Sequence, residues 1–190
     1  MSEPLEYSSI QPKLPIILAS GSESRKQMLQ EAGIIFEVIV SEADEDQIKS
    51  EISSLPFEVQ VIHLAKAKAS SVSIMHPSKI VIGGDQMCVL GDSLLHKPGS
   101  KEKAIKSLKL LANQKHHQHS GVSIFKNGEC LWEYSETVEL KMHKLSDAEI
   151  KNYVEIENPV NAAGSYMYES LGCNLFSYLN GASHTVRGIP

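Results

Sequence analysis

Cysteine is scarce in this 190-residue sequence, and the three present, Cys88, Cys130 and Cys173, are odd in number, far apart and free of C-x-x-C spacing. This excludes a disulfide framework and a structural zinc site built on paired cysteines, and it fits a reducing compartment. No run approaches the roughly 18 apolar residues that a membrane span requires, and Met-Ser-Glu-Pro-Leu-Glu at the start lacks the basic-then-apolar order of a secretory leader. The expectation is a cytoplasmic chain with no membrane partner. Positive charge is also short. A net charge of −5 disfavours a broad basic face of the kind that holds polymeric nucleic acid. A small anion remains possible, because a few cations in one pocket can oppose the overall charge. Walker A, G-x-G-x-x-G, G-x-S-x-G and H-E-x-x-H patterns are all missing, which removes the usual support for P-loop, dinucleotide, α/β-hydrolase and zinc-protease chemistry. Nothing points to a covalent nucleophile.

What is present suits one core. The length and a hydrophobic fraction of 42% support a single domain over residues 16–190, behind a loose N-terminal extension at 1–15. Hydrophobic period switches repeatedly between strand-like and helix-like, the pattern of an α/β chain. A short strand at 16–19 hands over through Ser20-Gly21-Ser22-Glu23-Ser24 to a helix from Arg25 to Ala32, which Gly33 stops. Residues 34–40 read as a second buried strand and 41–46 as an acidic loop. Pro56 opens a helix through His63 to Ser71, and 79–84 form a strand that continues through 87–90. Ser100 caps a helix from Lys101 to Ala112. Asn127-Gly128 is the turn of a hairpin between 120–125 and 130–140. Ser146 and Glu149 form a capping box for a helix ending near Ile156, and short strands with glycine turns complete the chain. His116, His117 and His119 match no metal spacing and read as loop or strand-end residues.

Three places carry candidate chemistry. Ser20 to Arg25 sets hydroxyls and a guanidinium where a strand meets a helix N-terminus, whose unpaired N–H groups and dipole attract an anion. Asp85 ends an apolar strand after two glycines that permit close approach, a position suited to metal binding or base chemistry. Asp44-Glu45-Asp46 adds carboxylates, and Lys68 and Lys97 are available cations. Taken singly, each also has an ordinary reading, as cap, turn residue, solvated loop or surface lysine.

Their order and spacing together resemble the Maf family of nucleotide pyrophosphatases from Ile16 to Pro190. Ile17-Leu18-Ala19-Ser20-Gly21-Ser22-Glu23-Ser24-Arg25 is similar to the motif L-A-S-x-S-P-R-R, and Ala43-Asp44-Glu45 to the D-E loop. Leu64-Ala65-Lys66-Ala67-Lys68-Ala69 resembles L-A-x-x-K-A, which makes Lys68 rather than Lys66 the family lysine. Ile82-Gly83-Gly84-Asp85-Gln86, Lys97-Pro98 and His119-Ser120-Gly121-Val122 resemble I-G-[AS]-D-[TQ], K-P and H-T-G-V. Ala163-Gly164-Ser165-Tyr166 through Glu169 to Gly172 resembles A-G-x-Y-x-x-[QE]-G-x-G, and Gly188-Ile189-Pro190 the terminal G-L-P. Three departures stand out. Glu23-Ser24 replaces Pro-Arg, Ser170 stands where glycine is common, and the sequence stops at Pro190 where family chains continue into a short helix.

The resemblance implies an α/β fold in which a long, mixed, twisted sheet divides two lobes with a nucleotide cleft between them, as in inosine-triphosphate pyrophosphatases. It implies hydrolysis of a nucleoside triphosphate to the monophosphate and pyrophosphate. A divalent metal cation, Mg²⁺ or Mn²⁺, would be held by Asp85 and Glu45, with Asp85 as general base. Arg25, Lys68 and Lys97 would bind the phosphates, and Ser20, Ser22 and Ser24 would line the cradle. Gln86 and Glu169 would contact the base and favour 7-methyl-GTP over the pyrimidine nucleotides dTTP and UTP. The alternatives are a pyrimidine (dTTP/UTP) or broad house-cleaning pyrophosphatase and a non-catalytic nucleotide-binding regulator of septum formation. A homodimer is the family expectation.

Overall fold

The computed structural model describes residues 12–190 and is built on a seven-stranded sheet in the order β2-β1-β3-β5-β6-β7, with β4 paired to β3. The extension expected at 1–15 lies outside the described residues as far as residue 11. β1 (Ile16–Leu18) runs parallel to β2 (Phe36–Val38) on one side and to the first part of β3 (Ile80–Leu90) on the other. Beyond the end of β1, β3 continues with β5 on one side and takes up β4 (Ser93–Leu95) as an antiparallel partner. β5 (Lys115–Lys126), β6 (Glu129–Met142) and β7 (Phe176–Asn180) complete the sheet in antiparallel order. Asn127 and Gly128 join β5 to β6 with φ of 51° and 77°, the left-handed pair that a two-residue hairpin needs to match strand twist.

Helices cover both faces. α3 (Phe57–Met75) buries Val61, Leu64, Ala65, Ala69 and Val72, a stripe at helical spacing that lies on the sheet. The stripe can sit close because the facing sheet positions are glycines. A Cβ on Gly83 would stand 2.3 Å from the Ala65 carbonyl oxygen, and one on Gly121 would stand 2.7 Å from the Val61 backbone. On the opposite face α4 (Lys101–Leu111) and α5 (Asp147–Glu157) enclose a larger core with Cys88, Leu108, Leu140 and Tyr166. Ser146 and Glu149 exchange both bonds of the expected capping box. α1 (Glu23–Glu31) follows β1, α2 (Glu45–Glu51) precedes α3, and α6 (Ser183–Arg187) precedes the final Gly188-Ile189-Pro190.

Four local expectations need correction. The strand expected as buried over 34–40 is only Phe36–Val38 and lies at the sheet edge, with Ile35, Val38 and Val40 exposed, because no element covers it. The acidic loop at 41–46 becomes a helix start, since the Asp44 carboxylate accepts from Gln47 N–H and α2 begins at Glu45. His116 and His117 stand near the start of β5, as strand-end residues do, whereas His119 lies further inside it. Strand alternation sends His116 to one face and the other two to the opposite face, so the three do not converge. Residues 163–175 form two short 3-10 turns, with β7 the one strand after them.

Replacing Gly121 by alanine should lower stability by about 1–3 kcal/mol or more, because the added carbon meets helix backbone that cannot rotate away. Urea unfolding midpoints measure this, and an unchanged midpoint would show that α3 can lift from the sheet at no cost.

Candidate active site

The parallel strands end where β3 continues, and the space beyond their carboxyl ends is a cleft of about 960 Å³. Such switch points in open α/β sheets are where ligands commonly bind. Its lining draws on both sides of the sheet. Ser20 to Arg25 enter from the β1-to-α1 turn, Glu45 and Lys49 from α2, Lys68 from α3, Asp85 from β3, Lys97 from the loop after β4, and Glu169 from the segment after the first 3-10 turn. All of the expected site residues thus border one cavity.

Its centre is a chain of charges. Lys68 lies on the sheet-facing side of α3, where Nζ is 2.7 Å from Asp85 Oδ1 and 3.0 Å from Glu45 Oε1. The Lys68 and Asp85 side chains are 11% and 10% exposed, so this is a nearly dry ion pair. Lys66, two residues earlier, points elsewhere and pairs with Glu133 at 2.6 Å. Lys49 reaches the other oxygen of Glu45 at 3.3 Å. Burial opposes ionisation of Glu45, but Lys68 and then Lys49 outweigh it and hold this carboxyl below its usual range. Asp85 Oδ2 is buried and has no hydrogen-bond partner among the described residues. The two carboxylates meet on Lys68 Nζ, and Asp85 Oδ2 is left as an acceptor to spare. Among the described residues no group of three or more His, Cys, Asp or Glu is placed to hold a metal unaided. Two carboxylates suit a Mg²⁺-type ion that completes its shell with water and phosphate oxygens.

Arg25 is anchored more firmly than a free phosphate fork. It is buried against Gly84, where a Cβ would stand 2.9 Å from its Nε, and that Nε donates to the Gly188 carbonyl at 2.7 Å. Nη1 donates to Ser20 Oγ at 3.0 Å. The second hydrogen of Nη1 and both of Nη2 remain for an anion. Burial pulls this guanidinium below its usual value, and Asp85 and then Glu45 act in the opposite sense. The serines serve mainly as architecture. Ser22 Oγ caps α1 by accepting from Arg25 N–H, and Ser24 Oγ donates to the Arg187 carbonyl at 2.9 Å. Gln86 lines the cleft, yet its Nε2 donates to the carbonyls of Thr185 at 3.2 Å and Val186 at 2.7 Å, which leaves only its oxygen for a ligand. Glu169 is half-buried and Lys97 exposed on the rim.

Sequence reasoning missed Lys49, Gln118 and Tyr166, all of which border the cleft. Lys49 was legible as the i+4 partner of Glu45 once a helix begins there. Tyr166 stood in the A-G-x-Y stretch without being marked for the site, and Gln118 had no local signal, because the two meet across 48 residues, where Gln118 Nε2 donates to Tyr166 Oη at 2.7 Å. His116 Nε2 lies 2.9 Å from the same oxygen.

The fold and the cleft define an α/β protein with a carboxylate-and-cation pocket at a sheet switch point, a class suited to polyphosphate ligands. A family model described as Maf-like protein matches residues 15–190, and the chain belongs to that family. It is 37% identical over 176 residues to a nucleoside triphosphate pyrophosphatase of Legionella pneumophila (strain Corby), covering 93% of this chain and 88% of that protein. It is 35% identical over 179 residues to a nucleoside triphosphate pyrophosphatase of Rhodopseudomonas palustris (strain HaA2), with coverage of 93% and 88%. Among solved structures, a HAM1 protein from Coxiella burnetii aligns with a TM-score of 0.46 at 16% identity, over 70% of this chain and 74% of that one.

The buried His116–Tyr166 contact behind the cleft should carry a measurable pH dependence. Burial, with a smaller contribution from His117, pushes His116 from 6.5 down to about 4. Folding therefore favours neutral His116. Its stabilising contribution is complete above about pH 6.5 and is lost as pH falls towards 4, a loss of up to about 3 kcal/mol. Urea unfolding at pH 7 and pH 4.5 should show a steeper fall for wild type than for His116→Gln, and equal falls would remove His116 as the cause.

Proposed function

We propose that this protein hydrolyses a nucleoside triphosphate to the nucleoside monophosphate and pyrophosphate. The observation that carries the reading is the buried, unpartnered Oδ2 of Asp85 in a cleft that also presents Arg25, Lys68 and Lys97. The names of the relatives support it. In the reaction, a water oxygen bonds to the α-phosphorus as the bond from that phosphorus to the oxygen bridging the β-phosphate breaks. Asp85 Oδ2 takes the water proton, and pyrophosphate leaves with the bonding electron pair. Lys68 holds Oδ1, and Oδ2 is left without a partner to take the proton. Arg25, Lys68 and Lys97 balance the charge that develops on the phosphate oxygens, and the N-terminus of α1 adds backbone donors. Asp85 and Glu45 are the residues that would hold a divalent cation, Mg²⁺ or Mn²⁺. Such an ion supplies charge neutralisation and orientation of water when bound.

The base reading is narrower and rests on Glu169. Guanine offers N1–H and an exocyclic amino group side by side, and one carboxylate can accept from both. Uracil and thymine offer a single N–H between two carbonyls, so a carboxylate there faces an acceptor, at a cost of roughly 1–3 kcal/mol. Methylation at N7 puts positive charge on the purine, which an ionised Glu169 attracts more than a glutamine would. The preferred substrate on this reading is 7-methyl-GTP.

Turnover is assayed as phosphate released through an added inorganic pyrophosphatase, with Mg²⁺ or Mn²⁺ and a panel of standard and modified nucleotides. Asp85→Asn should abolish hydrolysis while the fold persists, since the amide is nearly isosteric but neither takes the proton nor carries the charge. Activity within tenfold of wild type would remove Asp85 from this role. Lys68→Ala and Lys97→Ala should each slow turnover by roughly ten- to a thousandfold, and unchanged kinetics in both would make them structural or surface residues. Wild-type kcat/KM should rank 7-methyl-GTP above GTP, UTP and dTTP, and Glu169→Gln should compress that ranking. A wild type that prefers UTP or dTTP overturns the base reading alone, whereas no turnover with any nucleotide leaves a nucleotide-binding regulator.

A further inference from the structure

Two side chains that line the cleft hold buried polar atoms with no partner among the described residues and no task in the hydrolysis described above: Arg187, at Nε and Nη2, and Gln118, at its amide oxygen. Gln118 is 1% exposed and lines the cleft, and its Oε1 is buried without a hydrogen-bond partner among the described residues. A buried carbonyl oxygen left unpaired costs about 1–3 kcal/mol, so its persistence calls for a reason. The side chain cannot turn freely to relieve it. Its Nε2 donates to Tyr166 Oη at 2.7 Å, and that hydroxyl also lies 2.9 Å from His116 Nε2. In the tautomer with the hydrogen on Nδ1, His116 Nε2 accepts from the Tyr166 hydroxyl and Tyr166 accepts from Gln118, which leaves the amide oxygen at one end of the chain and the buried His116 Nδ1 at the other without a partner among the described residues. Tyr166 is held in turn by packing edge-on to Phe176 at 4.8 Å between ring centres.

The position along the sheet tells which part of a ligand this oxygen meets. Gln118 is paired with Cys88, and Ser120 with Gln86, so Gln118 lies two strand positions, about 7 Å, beyond Gln86 on the same face. Arg25 lies over Gly84 on that face, a further two positions back, at the anion-binding end. The interval between guanidinium and amide leaves room for a sugar and a base. Leu95, Met167 and Tyr168, each half-buried, border the cleft with Gln118 and supply the apolar and aromatic wall that a planar ring needs.

We propose that Gln118 is a specificity-determining residue whose amide oxygen accepts a hydrogen from the exocyclic 2-amino group of a purine. This rests on the reading of the cleft as a nucleotide site. An amino group carries two hydrogens and a carboxylate oxygen serves only one of them. Glu169 and Gln118 thus divide the work, with Glu169 accepting from N1–H and one amino hydrogen, and Gln118 from the other. A purine without the 2-amino group leaves the Gln118 oxygen unpaired in a dry site, which is the stronger form of rejection.

The probes are GMP and IMP, which differ only in the 2-amino group, and the readout is their affinity by titration calorimetry, which needs no turnover. Wild type should bind GMP about ten- to a hundredfold more tightly than IMP. Gln118→Met, similar in length and without an acceptor of that strength, should bring the ratio towards one. Tyr166→Phe, which removes the hydroxyl that fixes the amide, should lower the ratio partway. Unfolding midpoints establish that each variant is folded, and the wild-type ratio stands whether or not a variant folds. Equal affinity of wild type for GMP and IMP, no binding of either, or a ratio that survives in folded Gln118→Met would each overturn the assignment. Discrimination in binding by a protein that turns over no nucleotide would sink the hydrolytic reading and leave this one standing.

Discussion

The close seating of α3 on β3 and β5 is the contact on which the site depends. Gly83 and Gly121 leave no side chain between the strands and the helix, and Val61, Ala65 and Ala69 present short or backbone surface to them. Only at that separation does a lysine on the inner face of α3 meet an aspartate two residues past Gly83. The Lys68–Asp85 pair is thus a consequence of glycine placement as much as of charge. A helix standing off the sheet by the width of a methyl group would leave the aspartate in water and the lysine free to bend elsewhere, and such exposed pairs are worth little.

The neighbouring glycine does the same on the other face. Gly84 lets the Arg25 guanidinium lie flat on the strand, and the carbonyl of Gly188 receives its Nε. Gly188 has a φ of 106°, a conformation open to glycine, and follows directly on α6. α6 is held by two side chains from the sheet, Ser120 and Gln86, which both donate to the Thr185 carbonyl, and by a bond from Thr185 to Glu136. Residues 185–188 are therefore part of the support for the Arg25 guanidinium. Gln86 supports α6 through its amide nitrogen and keeps its oxygen on the cleft.

Strand alternation divides these duties. Asp85 faces α3 and the charge chain, while Gln86 and Cys88 face α6 and the large core, so two consecutive residues serve opposite walls of one cleft. The same alternation separates His116 from His117 and His119. His116 joins the buried Tyr166–Gln118 network, and His119 bonds to Thr137 beside Phe57. A run of histidines that suggests a metal in one dimension is dispersed to two environments in three.

The sequence by itself determined whatever is decided within a few residues. The Asn127-Gly128 hairpin, the Ser146–Glu149 capping box, the Pro56 start of α3 and the Ser100 cap all depend on local backbone chemistry and stand where that chemistry puts them. The order of the motifs likewise marked Asp85, Lys68, Arg25 and Glu169 as neighbours of one cleft. Only the tertiary structure decided what each group has left to offer a ligand. Free atoms depend on partners far along the chain: Gly188, 163 residues from Arg25, takes its Nε, Val186, 100 residues from Gln86, takes an amide hydrogen, and Tyr166 fixes Gln118 across 48. The edge position of β2 was hidden for the same reason, since an apolar stretch carries no record of whether anything lies against it. Hydrogen-bonding capacity is written in residue type, but its remainder after folding is a property of the packed molecule.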